Sequence, residues 1–297
     1  MTTGAAVVVP AGVLPEVPVG AALAVVRRDA LGRICEVAEL GRGDRSRRYP
    51  LASVTKLLTA YAVLVAVEEG AVELDEPAGP PGATVRHLLA HASGLGFEGS
   101  APVTRVGGRR IYSNEGFELL AGHLTAATGL PFDRYLAEAV CEPLGLRATS
   151  LDGSAAYGAV STTADLAVFA GELLGAASGR DGVLAAATGA ELVQVQFPGL
   201  AGVLPGVGRF DPLDWGLGVE HTFGRPGHWA GRRLSTAAVG HFGRSGTFLW
   251  ADPVAGVACV YLGEQPFGPW ARQAWPVLGD AVLAATASRP TRSASPA

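Results

Sequence analysis

Lysine, asparagine and isoleucine are almost missing from this sequence of 297 residues. Of its 23 lysines and arginines only Lys56 is a lysine, and Asn114 is the single asparagine. This depletion is typical of a GC-rich genome, in which arginine serves wherever a plain cation is sufficient. Arginine cannot lose its proton in a protein, whereas a desolvated lysine can. The retained Lys56 therefore predicts a role in proton transfer.

Cysteine is scarce as well, and its spacing argues against two kinds of site. Cys35, Cys141 and Cys259 are odd in number and form no C-x-x-C pair, so neither a disulfide framework nor a zinc site is indicated. We expect buried, reduced thiols.

Long apolar runs are also absent. The longest, residues 57–67, has 11 residues, against roughly 20 for a helix that crosses a bilayer. We therefore expect no transmembrane helix and no membrane partner. The first residues lack the positive charge that opens a secretory signal, which predicts a cytoplasmic protein.

The chain has no excess of positive charge. Its formal net charge is −4, which argues against nucleic acid as a main partner. Hydrophobic residues make up 48% and charged residues 17%, as in a globular protein with a full core. These values favour a small-molecule substrate as the partner and leave the oligomeric state open.

Strand patterns occur at both ends of the chain. Residues 19–26 and 34–40 predict a hairpin, and four more strands are predicted at 216–222, 237–242, 247–251 and 257–262. Helical spacing begins at Ser53 and ends near residue 69, and further helices are predicted at 85–91, 114–128, 131–140, 162–174 and 271–285. Residues 175–208 show no clear periodicity.

This order predicts the fold class α/β (α+β), with one central antiparallel sheet built from both termini and flanked by helices. We expect a single domain over residues 1–287, with a helical lobe inserted at roughly 75–210, and a disordered tail at 288–297. The site would lie between sheet and lobe.

The first candidate motif is Ser53-Val-Thr-Lys56. It places a hydroxyl and the only lysine at i and i+3 on one face of a helix start. A neutral lysine there can take the serine proton, and the helix N-terminus can hold an oxyanion. The alternative is that Ser53 only caps the helix.

The second candidate motif is Tyr112-Ser113-Asn114, at the entrance of a helix. A phenol near a lysine ammonium can ionise more easily and act as base or acid, and the Asn114 amide can donate to a substrate carbonyl. The alternative is again a helix cap.

The third candidate motif, residues 240–246, follows a predicted strand and reads Gly-His-Phe-Gly-Arg-Ser-Gly. Its small residues allow a ligand to approach the backbone near His241, Gly243 and Arg244. The alternative is a strand that only turns a corner.

In this order the three motifs resemble those of the serine β-lactamase and penicillin-binding-protein superfamily, in particular its cephalosporinase-like branch, which includes esterases. Stretches at 84–95, 161–166 and 215–218 are also similar to that branch. The resemblance covers about residues 19–283 and implies a β-lactamase/transpeptidase-like fold.

The resemblance implies a role for each motif residue. Ser53 would be the acylated nucleophile, and Lys56 and Tyr112 would transfer its proton. Asn114 would bind substrate. The backbone N–H groups of Ser53 and, most simply, Arg244 would form the oxyanion hole.

Two features depart from the family. Cell-wall and antibiotic-degrading members carry lysine where this chain has His241, and a largely neutral histidine holds a carboxylate less well. In addition, Tyr112 follows Ser53 by only 59 positions, which predicts a reduced cover over the pocket.

The sequence therefore predicts a serine hydrolase of small esters or amides, most simply an esterase, without metal or cofactor. The alternatives are an acyltransferase, a D-Ala-D-Ala peptidase or β-lactamase, and a catalytically silent binding module. His87 and His91 have the spacing of zinc ligands but lack the glutamate of H-E-x-x-H, so we interpret them as packing residues.

Overall fold

The computed structural model describes residues 20–28, 34–41, 44, 46–221 and 224–287 of the protein. Its strands, in chain order, are β1 (Ala22–Arg28), β2 (Ile34–Gly41), β3 (Tyr49–Pro50), β4 (Arg110–Ile111), β5 (Ser150–Leu151), β6 (Ala159–Ser161), β7 (Gly202–Leu204), β8 (Gly208–Phe210), β9 (Val239–Gly243), β10 (Thr247–Asp252) and β11 (Val257–Leu262).

The helices of the same ranges are α1 (Thr55–Glu68), α2 (Val85–Leu89), α3 (Glu115–Thr128), α4 (Phe132–Leu136), α5 (Glu142–Leu144), α6 (Thr163–Ala177), α7 (Ala186–Val193) and α8 (Pro269–Ala287). A 3-10 turn, Ala52–Val54, precedes α1, and a π-helical turn, Ala137–Cys141, joins α4 to α5. No helix within these ranges combines the length and the apolar character needed to span a membrane.

The central sheet joins the two ends of the chain. Its strand order is β2-β1-β11-β10-β9, and each neighbouring pair is antiparallel. Because β1 lies between β2 and β11, a strand from the start of the chain pairs directly with one from its end. The predicted fold class is thereby confirmed.

Both faces of the sheet are covered along β1, β10 and β11, which explains why these strands are largely apolar. Ala24 and Val26 of β1 belong to the core on the side of α6, whereas Leu23 and Val25 belong to the core that includes Trp275 of α8. Successive side chains of a strand point to opposite faces. Each of these three strands therefore contributes to two cores at once.

Three short connections carry the residues of interest. β3 leads into the turn that holds Ser53, β4 ends directly before Tyr112, and β9 ends at Gly243. β3 pairs with β6, and β4 pairs in parallel with β7, so a small sheet fixes each of the first two connections. The fold thus brings three distant segments to one edge of the central sheet.

The predicted strand at 216–222 is wrong over residues 216–221, and Thr222 lies outside the described residues. Trp215 and Glu220 instead form an isolated bridge across a reversal of the chain, where Gly218 has φ +82°. A side chain at Gly218 would come within 2.4 Å of Ala60 Cβ. The alternation of apolar residues here reflects a tightly packed turn rather than an extended strand.

Other expectations need smaller changes. The helix predicted at 131–140 continues through the π-helical turn to Leu144, and the segment without periodicity contains α7 and β7. The domain limits and the lobe at 75–210 stay predictions, and the tail at 288–297 lies outside the described residues.

Candidate active site

Ser53 lies in a turn whose backbone is held in an unfavourable conformation. The preceding residue, Ala52, has φ +46°, a region that costs a non-glycine residue on the order of 1–3 kcal/mol. Hydrogen bonds on both sides of Leu51 fix the turn: its N–H donates to Ala159 O at 2.9 Å, and its carbonyl accepts from Thr247 Oγ1 at 2.8 Å. Ser53 is half-buried and lines a cavity of about 320 Å³.

Gly243 allows β9 to approach this turn. A Cβ atom at Gly243 would lie 2.2 Å from Leu51 O and 3.2 Å from Ala52 Cβ. Only glycine therefore fits between the end of β9 and the serine turn. Arg244 follows as an exposed residue that lines the same cavity. The assignment of its N–H to the oxyanion hole stays a prediction.

Lys56 is fully buried, and its contacts match those of a neutral amine. Its Nζ donates to Asn114 Oδ1 at 2.7 Å and to Ala156 O at 2.9 Å, and it lies 4.7 Å from the centre of the Tyr112 ring. Burial lowers its pKa well below the usual range, although the Glu118 carboxylate acts in the opposite direction. A neutral amine has two hydrogens, and these two acceptors take both. Its lone pair then remains free to accept a proton.

Asn114 is buried at the start of α3, but its side chain does not cap that helix. Its carbonyl oxygen instead accepts from Lys56. Because that contact fixes which end of the amide faces Lys56, the NH₂ group points away from the lysine. This group is the one available for the predicted substrate contact.

Tyr112 is placed by the buried guanidinium of Arg110, two residues earlier. Arg110 donates to the carbonyl oxygens of Leu213 at 3.0 Å and Gln196 at 2.7 Å, which anchors β4. The Tyr112 hydroxyl lies 2.8 Å from His241 Nε2, and Tyr112 and Ser53 line the same cavity.

Burial raises the pKa of Tyr112 well above its usual range, and the interaction with the Ser53 hydroxyl offsets only part of this. Burial therefore disfavours the charged form of both Tyr112 and Lys56. That Lys56 promotes the ionisation of Tyr112 stays a prediction.

His241 is buried on β9, and its ring nitrogens face protein groups. Nε2 contacts the Tyr112 hydroxyl, and Nδ1 lies 3.6 Å from Glu220 Oε2. Burial lowers the pKa of His241 more than Glu220 raises it, so the ring is neutral near pH 7. The ring also lines the cavity. A direct contact with substrate stays a prediction.

Sequence reasoning missed two polar residues behind His241. Glu220 is completely buried, and its Oε1 lies 2.7 Å from His228 Nε2. Burial disfavours the carboxylate, but its interactions with His228, to which it is hydrogen-bonded, and with the neighbouring His241 outweigh burial and lower the pKa of Glu220. The sequence does not indicate this cluster, because Glu220 comes next to His241 only through the isolated bridge between Glu220 and Gly240.

The other histidine pair of the sequence analysis has separate contacts. His87 Nδ1 lies 2.9 Å from Thr84 Oγ1, whereas His91 Nδ1 accepts from the Ser113 N–H at 3.1 Å. The His91 ring also packs on Tyr112, with ring centres 4.6 Å apart. His91 therefore supports the second motif from behind.

A second cavity of about 540 Å³ adjoins the cavity that Ser53 lines. The two share three lining residues: Phe97, Tyr112 and Pro205. Apolar residues form most of the second wall, and two of them are unusually exposed: Phe97 at 47% and Val203 at 52%.

The sequence model of the family described as Beta-lactamase matches residues 17–283. The chain belongs to this family. It is a β-lactamase-family serine hydrolase, and the predicted superfamily is confirmed.

Known proteins resemble the chain to different extents. A β-lactamase structure from Mycobacterium bovis is 51% identical, covers 93% of this chain and 97% of its own, and has a TM-score of 0.84. The D-alanyl-D-alanine-carboxypeptidase/endopeptidase AmpH of Escherichia coli K12 is 31% identical over 137 residues, which are 34% of this chain and 36% of AmpH. The chain thus spans about a third of that relative. EstCE1, described as a hydrolase with promiscuous acyltransferase activity, is 18% identical with TM-score 0.68 over 89% of this chain and 94% of its own, a likeness in fold alone.

Proposed function

We propose that the protein is an esterase that cleaves small uncharged esters through an acyl-Ser53 intermediate. The observation that carries this proposal is the state of His241. This ring is neutral, and both of its nitrogens face protein groups, so it supplies no fixed ammonium for a substrate carboxylate. An uncharged ester needs no such cation.

The geometry supports a two-step acyl transfer. Ser53 Oγ bonds to the ester carbonyl carbon while its proton passes either directly to the Lys56 lone pair, or to the Tyr112 oxygen as the hydrogen of Tyr112 moves to His241 Nε2. The carbon–oxygen bond to the alcohol then breaks, and the alcohol leaves with that proton. Water repeats the sequence on the acyl-Ser53 ester and releases the acid. The N–H groups at Ser53 and after β9 stabilise the oxyanion in both steps.

The second cavity suggests which ester is preferred. The acyl group stays on Ser53 through both steps, so a neighbouring apolar cavity can hold its chain throughout. We therefore propose a short or medium apolar acyl chain that passes Phe97 towards Val203.

An acyltransferase is the second candidate. The same open cavity system can seat an alcohol in place of water during deacylation. Acyl transfer to an added alcohol, measured against hydrolysis in the same reaction, distinguishes the two activities.

The test compares kcat/KM for p-nitrophenyl butyrate with that for a chromogenic cephalosporin. A charge-assisted hydrogen bond to a carboxylate contributes about 1.5–3 kcal/mol, roughly ten- to a hundredfold, which the neutral His241 does not supply. We expect the ester to be favoured by at least about that factor. Ser53→Ala is the control and abolishes both activities. A preference of the wild-type enzyme for the cephalosporin would contradict the proposal.

A further inference from the structure

A line of buried polar groups runs from the catalytic tyrosine into the core. The Tyr112 hydroxyl contacts His241 Nε2 at 2.8 Å, His241 Nδ1 lies 3.6 Å from Glu220 Oε2, and Glu220 Oε1 lies 2.7 Å from His228 Nε2. Trp229 Nε1 also donates to Glu220 Oε2, at 3.2 Å. Tyr112 is 6% exposed and the other members 2% or less.

The inner end of this line has a defined protonation state. The backbone N–H of Ala230 donates to His228 Nδ1 at 3.2 Å, so Nδ1 is the unprotonated nitrogen. Nε2 then carries the hydrogen and donates it to Glu220. His228 thus holds Oε1 of the carboxylate, and Trp229 donates to Oε2, the oxygen that faces His241.

The Glu220 carboxylate favours one tautomer of His241. His241 Nδ1 is buried without a hydrogen-bond partner, and Glu220 Oε2, 3.6 Å away, attracts a hydrogen on this nitrogen and repels a lone pair, so the N–H form is favoured there. In a neutral imidazole the other nitrogen, Nε2, must then accept. The hydrogen bond at Nε2 therefore comes from the Tyr112 hydroxyl, whose own hydrogen points away from Ser53.

We propose that Glu220 is a positioning residue that sets the direction of hydrogen bonding at Tyr112. With its hydrogen donated to His241, the Tyr112 oxygen presents a lone pair to the Ser53 hydroxyl. Ser53 then has its proton directed towards Tyr112, in the sense that nucleophilic attack requires. This inference rests on the proposed role of Ser53 as nucleophile.

The first test reads the tautomer directly. Two-bond ¹H–¹⁵N correlation spectra of the histidine rings, assigned with His241→Gln, report which nitrogen carries the hydrogen. We expect His241 to be the Nδ1–H tautomer in the wild-type enzyme and to shift towards Nε2–H in Glu220→Gln. Nε2–H in the wild-type enzyme would overturn the proposal, whether or not any variant folds.

The second test measures the rate at which an uncharged phosphonate labels Ser53. Outer residues that orient an imidazole affect function by about 10- to 100-fold, and we expect a loss of that size in Glu220→Gln. Glu138→Gln, the same change at an exposed helix position, is the matched control and should leave the rate unchanged. His228→Gln keeps both the carboxylate and a donor to it, so it should retain the Nδ1–H tautomer and most of the rate.

The outcomes separate this inference from the proposed function. No labelling of Ser53 in the wild-type enzyme would contradict the proposed function. Normal labelling that Glu220→Gln leaves unchanged would overturn only the role of Glu220. A loss in His228→Gln as large as in Glu220→Gln, with the His241 tautomer preserved, would also overturn it, because packing would then explain both effects.

Discussion

At the scale of the single residue, Lys56 shows how burial and composition point to the same chemistry. The lysine was singled out because the rest of the chain uses arginine, and the structure places it at 0% exposure with two oxygen acceptors. An arginine there would bring a permanent charge into the core, which is costly without a paired anion. The same burial that makes Lys56 a usable base therefore also makes it unfavourable for stability.

Replacement of Lys56 tests both its role as a base and its cost in stability. Lys56→Met keeps the volume of the side chain but cannot accept a proton, so the rate of Ser53 labelling should fall by about 10²–10⁴-fold. Lys56→Arg should lose as much activity and in addition unfold at lower temperature than Lys56→Met. Circular dichroism melting curves and the labelling rate measure both effects. An active Lys56→Arg variant would exclude the role of general base.

The lowered pKa of Lys56 also predicts how the stability of the wild-type protein depends on pH. Between the lowered pKa of Lys56 in the folded protein and its ordinary pKa of 10.5, the unfolded chain binds a proton on this lysine that the folded protein lacks, so the free energy of unfolding rises with pH over that range. Lys56→Met lacks this dependence. Relative to wild type, it should therefore gain stability as the pH is lowered from about 10 to 7. Urea denaturation at several pH values measures the difference, and a constant difference would mean that Lys56 is protonated in the folded state.

At the scale of helices and strands, the sequence predicts an element where the pattern that forms it is local. Strands β10 and β11 were located within one residue because alternation and the turn between them are local features. The segment from Trp215 to Glu220 has the same alternation, but its apolar residues are buried in a turn that only tertiary packing stabilises. The role of Glu220 could not be predicted for the same reason, since the residues that contact it lie elsewhere in the chain.

The close approach of β9 to the serine turn can be tested at Gly243. A methyl group there would lie 2.2 Å from Leu51 O and 2.4 Å from Thr247 Oγ1, so Gly243→Ala must push β9 away from the turn. We expect a loss of about 1–3 kcal/mol in the free energy of unfolding and a fall in the labelling rate of roughly a hundredfold as the oxyanion site opens. Gly122→Ala, in α3 with open space around it, is the control and should be stabilised. A fully active Gly243→Ala would place the oxyanion site elsewhere.

At the scale of the whole molecule, the candidate site lies at one edge of a sheet in which both faces of β1, β10 and β11 contribute to the cores. The three candidate motifs can be recognised in the sequence because each is a short segment with its own pattern. The cavity beyond Tyr112 cannot, since its wall combines Arg110 and Ile111 of β4 with Gly202 and Val203 of β7, which the parallel pairing of the two strands brings together. The proposed acyl preference therefore rests on a part of the site that the sequence alone does not indicate.

The proposed preference for an apolar acyl chain can be tested with p-nitrophenyl esters of increasing acyl length, used below their micelle concentrations. Full burial of a methylene contributes about 0.8 kcal/mol, or roughly fourfold in kcat/KM, and a partly open cavity gives less. We expect about a two- to fourfold rise per methylene from acetate towards octanoate. Val203→Asp places a charge in the cavity wall and should remove the rise while acetate hydrolysis persists. Val277→Asp is the matched control, because Val277 has the same 52% exposure but lies on α8 and lines neither cavity. If the rise survives in Val203→Asp, or is lost equally in Val277→Asp, the acyl chain binds elsewhere.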